Sequence, residues 1–334
     1  MERGAMRKLV FANAKGGVGK TTSCVNVAAY LALSGYRTLV VDMDGQGHVA
    51  KSLGVTDTVP GIAELMQREA SLKEVQTPAR EHLWVVAGSR RIAEVDQLIS
   101  NRRMRPEMAL AEDMEGLQGY DFVLLDTAPS WGNVNINCLF FADHVLVPVS
   151  MEVLSLQGLV DFVGSVRDVQ HYREELELAG IIPTYYDNRV KKSSEVLAQL
   201  ERYFGGLVMP PIRYNVRLSE APGFGKHIFE HSRSSNGALD YAALGERVLR
   251  ALGAASETVP PTESGEAKSD GRGLAGRDPQ LFRQCFAFRF RPAVPFGAWV
   301  PRRARSSSLR SRYETLNPIR PLGGVASLYG CLCD

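Results

Sequence analysis

Short apolar runs alternate with longer amphipathic segments over most of the chain. The apolar runs lie at 8–13, 38–42, 82–87, 122–126, 145–149 and 181–186. Helical spacing of apolar residues appears at 20–34, 133–141, about 154–178 and about 237–252, with Ser235 or Asn236 near the last start. Continuous Val, Leu and Ile runs separated by helices are typical of strands covered on both faces. The pattern therefore predicts a doubly wound α/β domain with a mainly parallel sheet.

The composition changes beyond residue 253. Residues 254–334 contain eight prolines and several Gly, Ser and Arg clusters, without sustained strand or helix periodicity. Such a composition buries too little apolar surface to offset the entropy of ordering. We therefore predict a folded domain at 1–253 and a disordered, basic tail rich in Pro, Arg and Ser at 254–334, in which only 281–291 could form a strand.

Neither a membrane span nor a disulfide framework is predicted. The most apolar stretch, 139–166, is interrupted by Asp143, His144, Glu152 and Asp161, so no run reaches the roughly 18 residues that a spanning helix needs. The five cysteines are an odd and sparse set, which favours a reducing cytoplasm. We expect a cytoplasmic protein without stable membrane insertion.

The net charge of +2 conceals an uneven distribution. The tail has 12 basic and 7 acidic residues, whereas 1–253 has 27 basic and 30 acidic residues. Within this acidic body, 189–233 carries eight basic against four acidic residues. A basic region on an acidic domain indicates a polyanionic partner.

The first apolar run leads directly into Asn-Ala-Lys-Gly-Gly-Val-Gly-Lys-Thr-Thr at 13–22, followed by a helix. Glycines let successive backbone N–H groups face phosphate oxygens, and the helix N-terminus adds its dipole. Lys20 should reach the β- and γ-phosphates, and the Thr21 hydroxyl should ligate Mg²⁺. The motif thus predicts a P-loop NTPase whose nucleotide contacts are Lys15, Gly16, Gly17, Val18, Gly19, Lys20, Thr21 and Thr22.

The loop departs from two general patterns. Ala14 occupies the position of the first glycine in the general P-loop motif. A dinucleotide-binding fingerprint would need glycine at Thr22. The Lys-Thr-Thr sequence between strand and helix nevertheless favours a phosphate loop over an ordinary glycine turn.

Three aspartates follow apolar strands. Asp126 closes the run at 122–126, where a carboxylate at the sheet edge can hold a metal-bound water beside the loop. Asp42 ends the run at 38–42, after the first helix, and is expected behind the metal ligands. Asp44, just beyond this run, can orient an attacking water. Each acid alone is equally consistent with a helix cap or a solvated loop. Their joint placement with the loop favours a catalytic Mg²⁺ site.

Several blocks resemble the ParA/Soj and MinD family of partitioning and positioning ATPases. KGGVGKTT at 15–22 resembles the family's deviant Walker A motif, VVDMDGQG at 40–47 its V-D-x-D-P-Q-G segment and YDFVLLDTAPS at 120–130 its Walker B and switch II region. VPVSMEVLSLQGL at 147–159 resembles a further block. NVRLSEAPGFGK at 215–226 is closer to the ParA/Soj branch than to MinD.

The resemblance implies roles for particular residues. Lys15 is the signature lysine, which in these proteins reaches across a dimer to the partner's nucleotide. With Lys20 and Asp44 it forms the expected catalytic set, and the cofactors are ATP and Mg²⁺. Arg189 and Arg217 match the arginines by which the Soj-like branch is thought to hold DNA. Phosphate contacts of this kind would not select a base sequence.

Other positions differ from the family. Gly45 and Ala128 stand where proline is usual, and His48 stands where asparagine is usual. Residues 212–215 read I-R-Y-N instead of I-P-R-N, so the sequence does not assign adenine contacts.

Two functions are consistent with the resemblance. In the first, ATP drives a homodimer that binds nonspecific double-stranded DNA, and slow hydrolysis, stimulated by a ParB-like centromere-binding protein, releases it; the protein would then be nucleoid-associated. In the second, the protein is a MinD-like membrane-associated positioning ATPase. The second needs a basic amphipathic C-terminal helix, but 322–334 contains no Lys or Arg.

Overall fold

The computed structural model describes residues 5–56 and 60–254. The predicted tail, including 281–291, lies outside the described residues apart from Ala254, so its expected disorder stays a prediction.

The described residues form an α/β domain. Its strands are β1 (Arg7–Phe11), β2 (Thr38–Met43), β3 (Thr77–Arg80), β4 (Leu83–Val86), β5 (Phe122–Thr127), β6 (His144–Ser150) and β7 (Glu177–Thr184). Its α-helices are α1 (Lys20–Leu33), α2 (His48–Ser52), α3 (Ile62–Met66), α4 (Ile92–Ser100), α5 (Ala109–Asp113), α6 (Asn133–Phe141), α7 (Val153–Gln170), α8 (Lys191–Phe204), α9 (Val216–Glu220), α10 (Ile228–His231) and α11 (Asn236–Ala251). Short 3₁₀ helices span Pro106–Met108, Gly205–Leu207 and Ala221–Phe224.

The strands form one seven-stranded sheet in the order β3-β4-β2-β5-β1-β6-β7. All neighbouring pairs are parallel except β3 and β4, which are antiparallel. The predicted mainly parallel sheet is therefore confirmed. In the register, Asp126 of β5 lies between Phe11 of β1 and Asp42 of β2. The loops after these three strands consequently share one edge of the sheet.

Each face of the sheet carries its own apolar cluster. Along β1, Val10 belongs to the cluster that α3 to α8 cover, whereas Leu9 and Phe11 belong to the cluster that α1, α2, α10 and α11 cover. Burial on both faces explains why the central strands read as uninterrupted apolar runs. Because α1 packs on one face of the sheet and β1 lies within the sheet, both ends of the loop between them are held in place.

Several features of the strand and helix pattern were not predicted, among them the helices α4 (Ile92–Ser100) and α8 (Lys191–Phe204). α7 ends at Gln170 rather than near 178, and β7 begins at Glu177 rather than at 181. The main-chain N–H of Glu177 donates to the Asp143 carbonyl at 2.9 Å, so pairing with β6 draws the polar start of β7 into the sheet. The antiparallel strand β3 was not predicted, because it contains Pro78 and proline argues against a strand in sequence analysis.

The helices were also compared with what a membrane span requires. Among residues 5–56 and 60–254, no helix combines the length and the apolar character needed to cross a bilayer.

Gly88 lies two residues after β4. Because it has no side chain, the chain after β4 can pack closely against Asp42 and Asp44 at the end of β2. A Cβ at Gly88 would lie 2.6 Å from the Asp44 carbonyl oxygen, 2.7 Å from that of Asp42 and 2.9 Å from the Asp42 carboxyl carbon. These neighbours are backbone atoms and a buried carboxylate, which cannot easily move aside. The fold therefore uses a side-chain-free position to place the loop at 42–49.

We predict that Gly88→Ala lowers the free energy of unfolding by about 1–3 kcal/mol, the usual cost of forcing a methyl group into a packed site. Chemical denaturation measures the effect. Gly206→Ala is the matched control, because a Cβ there meets no atom within 4 Å. A Gly88→Ala protein as stable as the control would contradict the close packing of this strand end.

Candidate nucleotide-binding site

The loop between β1 and α1 is held in a phosphate-binding shape by glycines and by Asn13. Gly17 and Gly19 have φ of 71° and 82°, a region that side-chain-bearing residues rarely adopt. The Asn13 side-chain amide donates to the Pro148 carbonyl at 2.8 Å, and its oxygen accepts from the main-chain N–H of Lys15 at 3.0 Å. The loop is thus tied to β6 before any ligand binds.

Lys20 lies inside this loop. Its ammonium group donates to the carbonyls of Asn13 at 3.1 Å and Lys15 at 2.9 Å. Burial lowers the pKa of Lys20, while the nearby charges of Asp126 and Asp44 oppose the shift. A phosphate group would supply the negative charge that this half-desolvated ammonium needs.

Other loop residues act through their backbone. Val18 is buried, and its carbonyl accepts the Thr184 hydroxyl at 2.9 Å, so only its N–H remains for a ligand. The Thr22 carbonyl accepts the Asn26 side-chain amide at 2.8 Å. Gly16 and Gly17 are exposed on the open side of the loop. The nucleotide contacts predicted for 15–22 stay a prediction, and the loop geometry is compatible with them.

Thr21 and Asp126, the two residues predicted to bind the cation directly, lie in contact beside the loop. The Thr21 hydroxyl donates to Asp126 Oδ2 at 2.6 Å, whereas Asp126 Oδ1 is buried without a hydrogen-bond partner. Burial, and then the charge of Asp42, raise the pKa of Asp126 well above the usual range. A buried carboxylate with a free oxygen beside a hydroxyl is a donor set that Mg²⁺ accepts. The residues therefore fit the predicted metal.

Asp42 has a different task. Its Oδ1 accepts from the main-chain N–H of Asp44, and its Oδ2 accepts from that of Val49, both at 3.0 Å. Burial raises the pKa of Asp42 to about 7. Because both oxygens are used on the backbone, the carboxylate fixes the loop after β2 and the start of α2. Its place behind the direct metal ligands stays a prediction.

Within the described part of the chain, no group of three or more His, Cys, Asp or Glu side chains could hold a metal ion by itself. A cation at Thr21 and Asp126 would therefore need oxygens from water and from a nucleotide. Mg²⁺ is usually bound in this shared way in phosphate-handling sites.

Lys15 lies in the phosphate loop itself, and Asp44 lies in the loop that follows β2. Asp44 is partly exposed, and its Oδ1 accepts from the Gln46 N–H at 3.0 Å. The Lys15 ammonium lies 2.8 Å from a carboxylate oxygen of Glu152. Lys15, Gly16, Gly17 and Glu152 also line an open cleft of about 340 Å³, with Ser150, Met151, Tyr185 and Tyr214. A second cleft of about 530 Å³ contains none of the predicted site residues.

The two predicted DNA-binding arginines are exposed and each is paired with an acid. Arg189, at 83% side-chain exposure, bonds both oxygens of Asp187 at 2.7 and 2.9 Å. Arg217, at 59% exposure, bonds Glu220 at 2.8 Å. Both lie outside the nucleotide loop. Their DNA contacts stay a prediction.

Sequence reasoning missed residues that shape the site from other strands. Asn135 donates to the carbonyls of Ala128 at 2.8 Å and Ser130 at 2.6 Å, which holds the loop after Asp126 although Ala128 stands where proline is usual. Tyr185 has a φ of 55° directly after β7 and lies beside Gly19. Gly88, immediately after an apolar run, carried a usable signal, because Asp42, Asp44 and Asp126 likewise lie at or just beyond the ends of apolar runs.

Comparison with known proteins places the fold and the site in a family. Residues 6–178 match the family described as "AAA domain". The chain is 39% identical over 251 residues to the chromosome-partitioning ATPase Soj of Thermus thermophilus, covering 75% of this chain and 98% of the relative. It is 34% identical over 248 residues to the sporulation initiation inhibitor protein Soj of Bacillus subtilis, covering 72% and 97%.

Solved structures show the same fold. Cobyrinic acid a,c-diamide synthase of Mycobacterium smegmatis, with bound ATP analogue and magnesium, superposes with a TM-score of 0.65 at 29% identity, covering 75% of this chain and 96% of that one. The septum site-determining protein MinD of Pyrococcus horikoshii, complexed with Mg-ADP, gives a TM-score of 0.62 at 20% identity, covering 76% and 100%. The ligands of these proteins are those that the sequence predicts here.

The chain has a P-loop fold, a hydrogen-bonded Thr21–Asp126 pair beside the loop and extensive identity to Soj proteins. It therefore belongs to the ParA/Soj family of partitioning ATPases.

Proposed function

We propose that this protein is an ATP-operated DNA-partitioning switch. The observation that carries the proposal is the Thr21–Asp126 pair, with one buried carboxylate oxygen unpartnered, beside a preformed phosphate loop. Mg-ATP binding joins two subunits, the dimer binds double-stranded DNA without sequence preference, and hydrolysis releases it. The working location is the cytoplasm, on the nucleoid.

The chain's own groups divide the chemistry. Lys20 neutralises the phosphates, and the backbone N–H groups of 16–22 orient them. Thr21 and Asp126 would hold Mg²⁺, which supplies charge neutralisation when bound. Asp44, fixed through its main-chain bond to Asp42, orients the attacking water. Positioning and charge account for most of the catalysis in phosphoryl transfer.

Lys15 acts across the dimer on the partner's nucleotide. In the single chain it pairs with Glu152, but the two side chains are 38% and 70% exposed, so solvent weakens the pair. Exchanging Glu152 for a phosphate therefore costs little. Because the second lysine arrives only on dimerisation, hydrolysis is slow, and a ParB-like protein that stabilises the active arrangement accelerates it.

Arg189 and Arg217 supply the DNA contacts. Both are exposed and lie in ion pairs of the kind that contributes little to stability. A phosphate backbone can replace Asp187 and Glu220 as the partner of these guanidinium groups. Contacts of this type depend on salt and carry no base information.

We predict that Asp126→Asn removes the dependence of ATP affinity on Mg²⁺. The amide is a poorer cation ligand than the carboxylate it replaces. The nucleotide-free protein should melt at a higher temperature, because a buried carboxylate beside Asp42 is lost. Calorimetric titration with and without EDTA, together with thermal melting, measures both effects.

Asp121→Asn is the control for this experiment. Asp121 precedes β5 at the opposite end of the strand, and its carboxylate accepts from the Arg37 N–H at 2.7 Å. This variant should keep the Mg²⁺ dependence. An Asp126→Asn protein that also keeps it would exclude the cation-binding assignment.

Lys15→Ala should bind ATP but form no ATP-dependent dimer, because its charge acts on the other subunit's nucleotide. Light scattering with Mg²⁺ and ATP measures the mass, and phosphate release should fall to background. Glu152→Ala is the matched control, since it breaks the same ion pair but keeps the lysine. A normal ATP dimer of Lys15→Ala would argue against the action in trans.

The function itself is tested by DNA binding with ATP, ADP or no nucleotide. Only ATP should support binding. Changing both Arg189 and Arg217 to Glu removes up to about four phosphate contacts per dimer, which flattens the slope of log K against log salt by roughly three to four units. ATP binding and dimerisation should persist, and affinity should fall equally for unrelated duplexes.

Arg250→Glu is the control for charge alone. Arg250 is also exposed and paired with an acid, Glu246, but lies on α11. Its salt slope should match that of the unmodified protein. If the double variant kept its slope, the DNA surface would lie elsewhere. ATP-dependent binding to liposomes instead of DNA would favour the MinD-like alternative.

A further inference from the structure

Asn26 is a polar side chain buried inside α1, one turn after Thr22. Its side-chain amide donates to the Thr22 carbonyl at 2.8 Å, and its oxygen accepts from the main-chain N–H of Ile228 at 2.8 Å. The side chain is only 5% exposed. It has no part in the proposed phosphate or cation chemistry. Its bonds join the nucleotide-binding helix to a residue 202 positions away.

Ile228 belongs to a stretch that also carries Arg217. We call residues 216–231 the Arg217 segment. Within it, Glu220 bonds Arg217 at 2.8 Å and lies 3.5 Å from His231 Nε2. The rings of Phe224 and His231 stack with centroids 5.1 Å apart. These contacts connect the two ends of the segment, so α10 and the arginine on α9 are held together.

The other side of the segment is fixed to the residues directly after α2, Leu53 and Gly54. Gly225 packs so closely on Gly54 that a Cβ at Gly225 would lie 2.7 Å from the Gly54 Cα. Arg80 donates to the carbonyls of Leu53 at 3.0 Å and Gly225 at 2.9 Å. Leu53 directly follows α2, whose start is held by the Asp42 carboxylate. The segment therefore contacts both α1 and the region after α2.

We propose that Asn26 is a positioning residue that couples the nucleotide site to the Arg217 segment, and so sets how strongly ATP raises DNA affinity. The inference rests on the proposed function. Mg-ATP holds the loop and the first turn of α1, including Thr22. Asn26 relates the position of that turn to the start of α10. Arg217 then presents its guanidinium in one orientation when nucleotide is bound.

Ser23 provides a matched comparison on the same helix. Its hydroxyl lies 3.1 Å from the Tyr241 hydroxyl on α11, and this contact is buried as well. It also ties α1 to a distant part of the chain, but not to the Arg217 segment. A purely structural role for buried polar contacts would make Ser23→Ala and Asn26→Ala alike. The coupling role predicts that only Asn26→Ala reduces the effect of ATP on DNA affinity.

The test uses the full chain with Mg²⁺ and a slowly hydrolysed ATP analogue. DNA affinity is measured with and without the analogue, and the ratio gives the coupling factor. Asn26→Ala should lower this ratio about fivefold or more, within the usual range of allosteric couplings. Analogue affinity without DNA and the dimer mass should stay unchanged. Ser23→Ala should keep the ratio, whereas Asn26→Asp, which keeps an oxygen toward Ile228 but cannot donate to the Thr22 carbonyl, should lower it as Asn26→Ala does.

Hydrogen exchange supplies a readout that does not need DNA, and its first arm uses only the unmodified protein. In the unmodified protein, the analogue should slow amide exchange in the Arg217 segment. In Asn26→Ala this protection should be lost, while protection of the phosphate loop remains. Absence of segment protection in the unmodified protein would overturn the inference even if Asn26→Ala failed to fold.

The remaining outcomes separate the inference from the function on which it rests. If the unmodified protein binds no DNA with ATP, the proposed function fails, whatever the exchange data show. If it binds DNA and Asn26→Ala keeps the ratio, or loses it only together with dimerisation, the coupling role of Asn26 is wrong and the proposed function stands.

Discussion

The pairing of β5 between β1 and β2 is the constraint on which the site depends. It places Asp126 beside Asp42 at an edge where the phosphate loop also begins. Two carboxylates are thereby buried together, and burial raises the pKa of each. Lys20 offsets only part of this charge, because one ammonium group faces two carboxylates, and burial lowers its pKa. The charges at this edge of the sheet are balanced only when a cation and phosphates are present.

Hydrogen bonding separates the roles of these two aspartates, which sequence position alone leaves similar. Asp42 uses both oxygens on backbone N–H groups and therefore organises the loop that carries Asp44. Asp126 uses one oxygen on Thr21 and keeps the other unpartnered. The first carboxylate supports the loop after β2, and the second has the oxygen that the proposed cation would use. Gly88 makes the arrangement possible, because no side chain fits between β4 and this loop.

The parts of the protein that follow local rules could be predicted from sequence. The central strands are apolar runs because both sheet faces are covered, and α1 begins at Lys20 where the glycine loop ends. The edge strand β3 was missed because it is short and contains Pro78. The tie from Asn26 to Ile228 could not be predicted, because a buried asparagine does not identify its partner 202 residues away. Contacts that depend on tertiary packing leave no pattern in the spacing of residues along the sequence.

The cations proposed to act outside their own chain share one property, which bears on why DNA binding should require a dimer. Lys15, Arg189 and Arg217 are each paired with an acid of the same chain. Such exposed pairs exchange readily for phosphates, but they also cancel much of the field that attracts DNA from a distance. Residues 1–253 hold 27 basic and 30 acidic residues, so one subunit offers little general attraction. In the proposed dimer, two subunits would present twice as many arginines to one duplex, and because the second contact would then be intramolecular, affinity would rise far more than twofold.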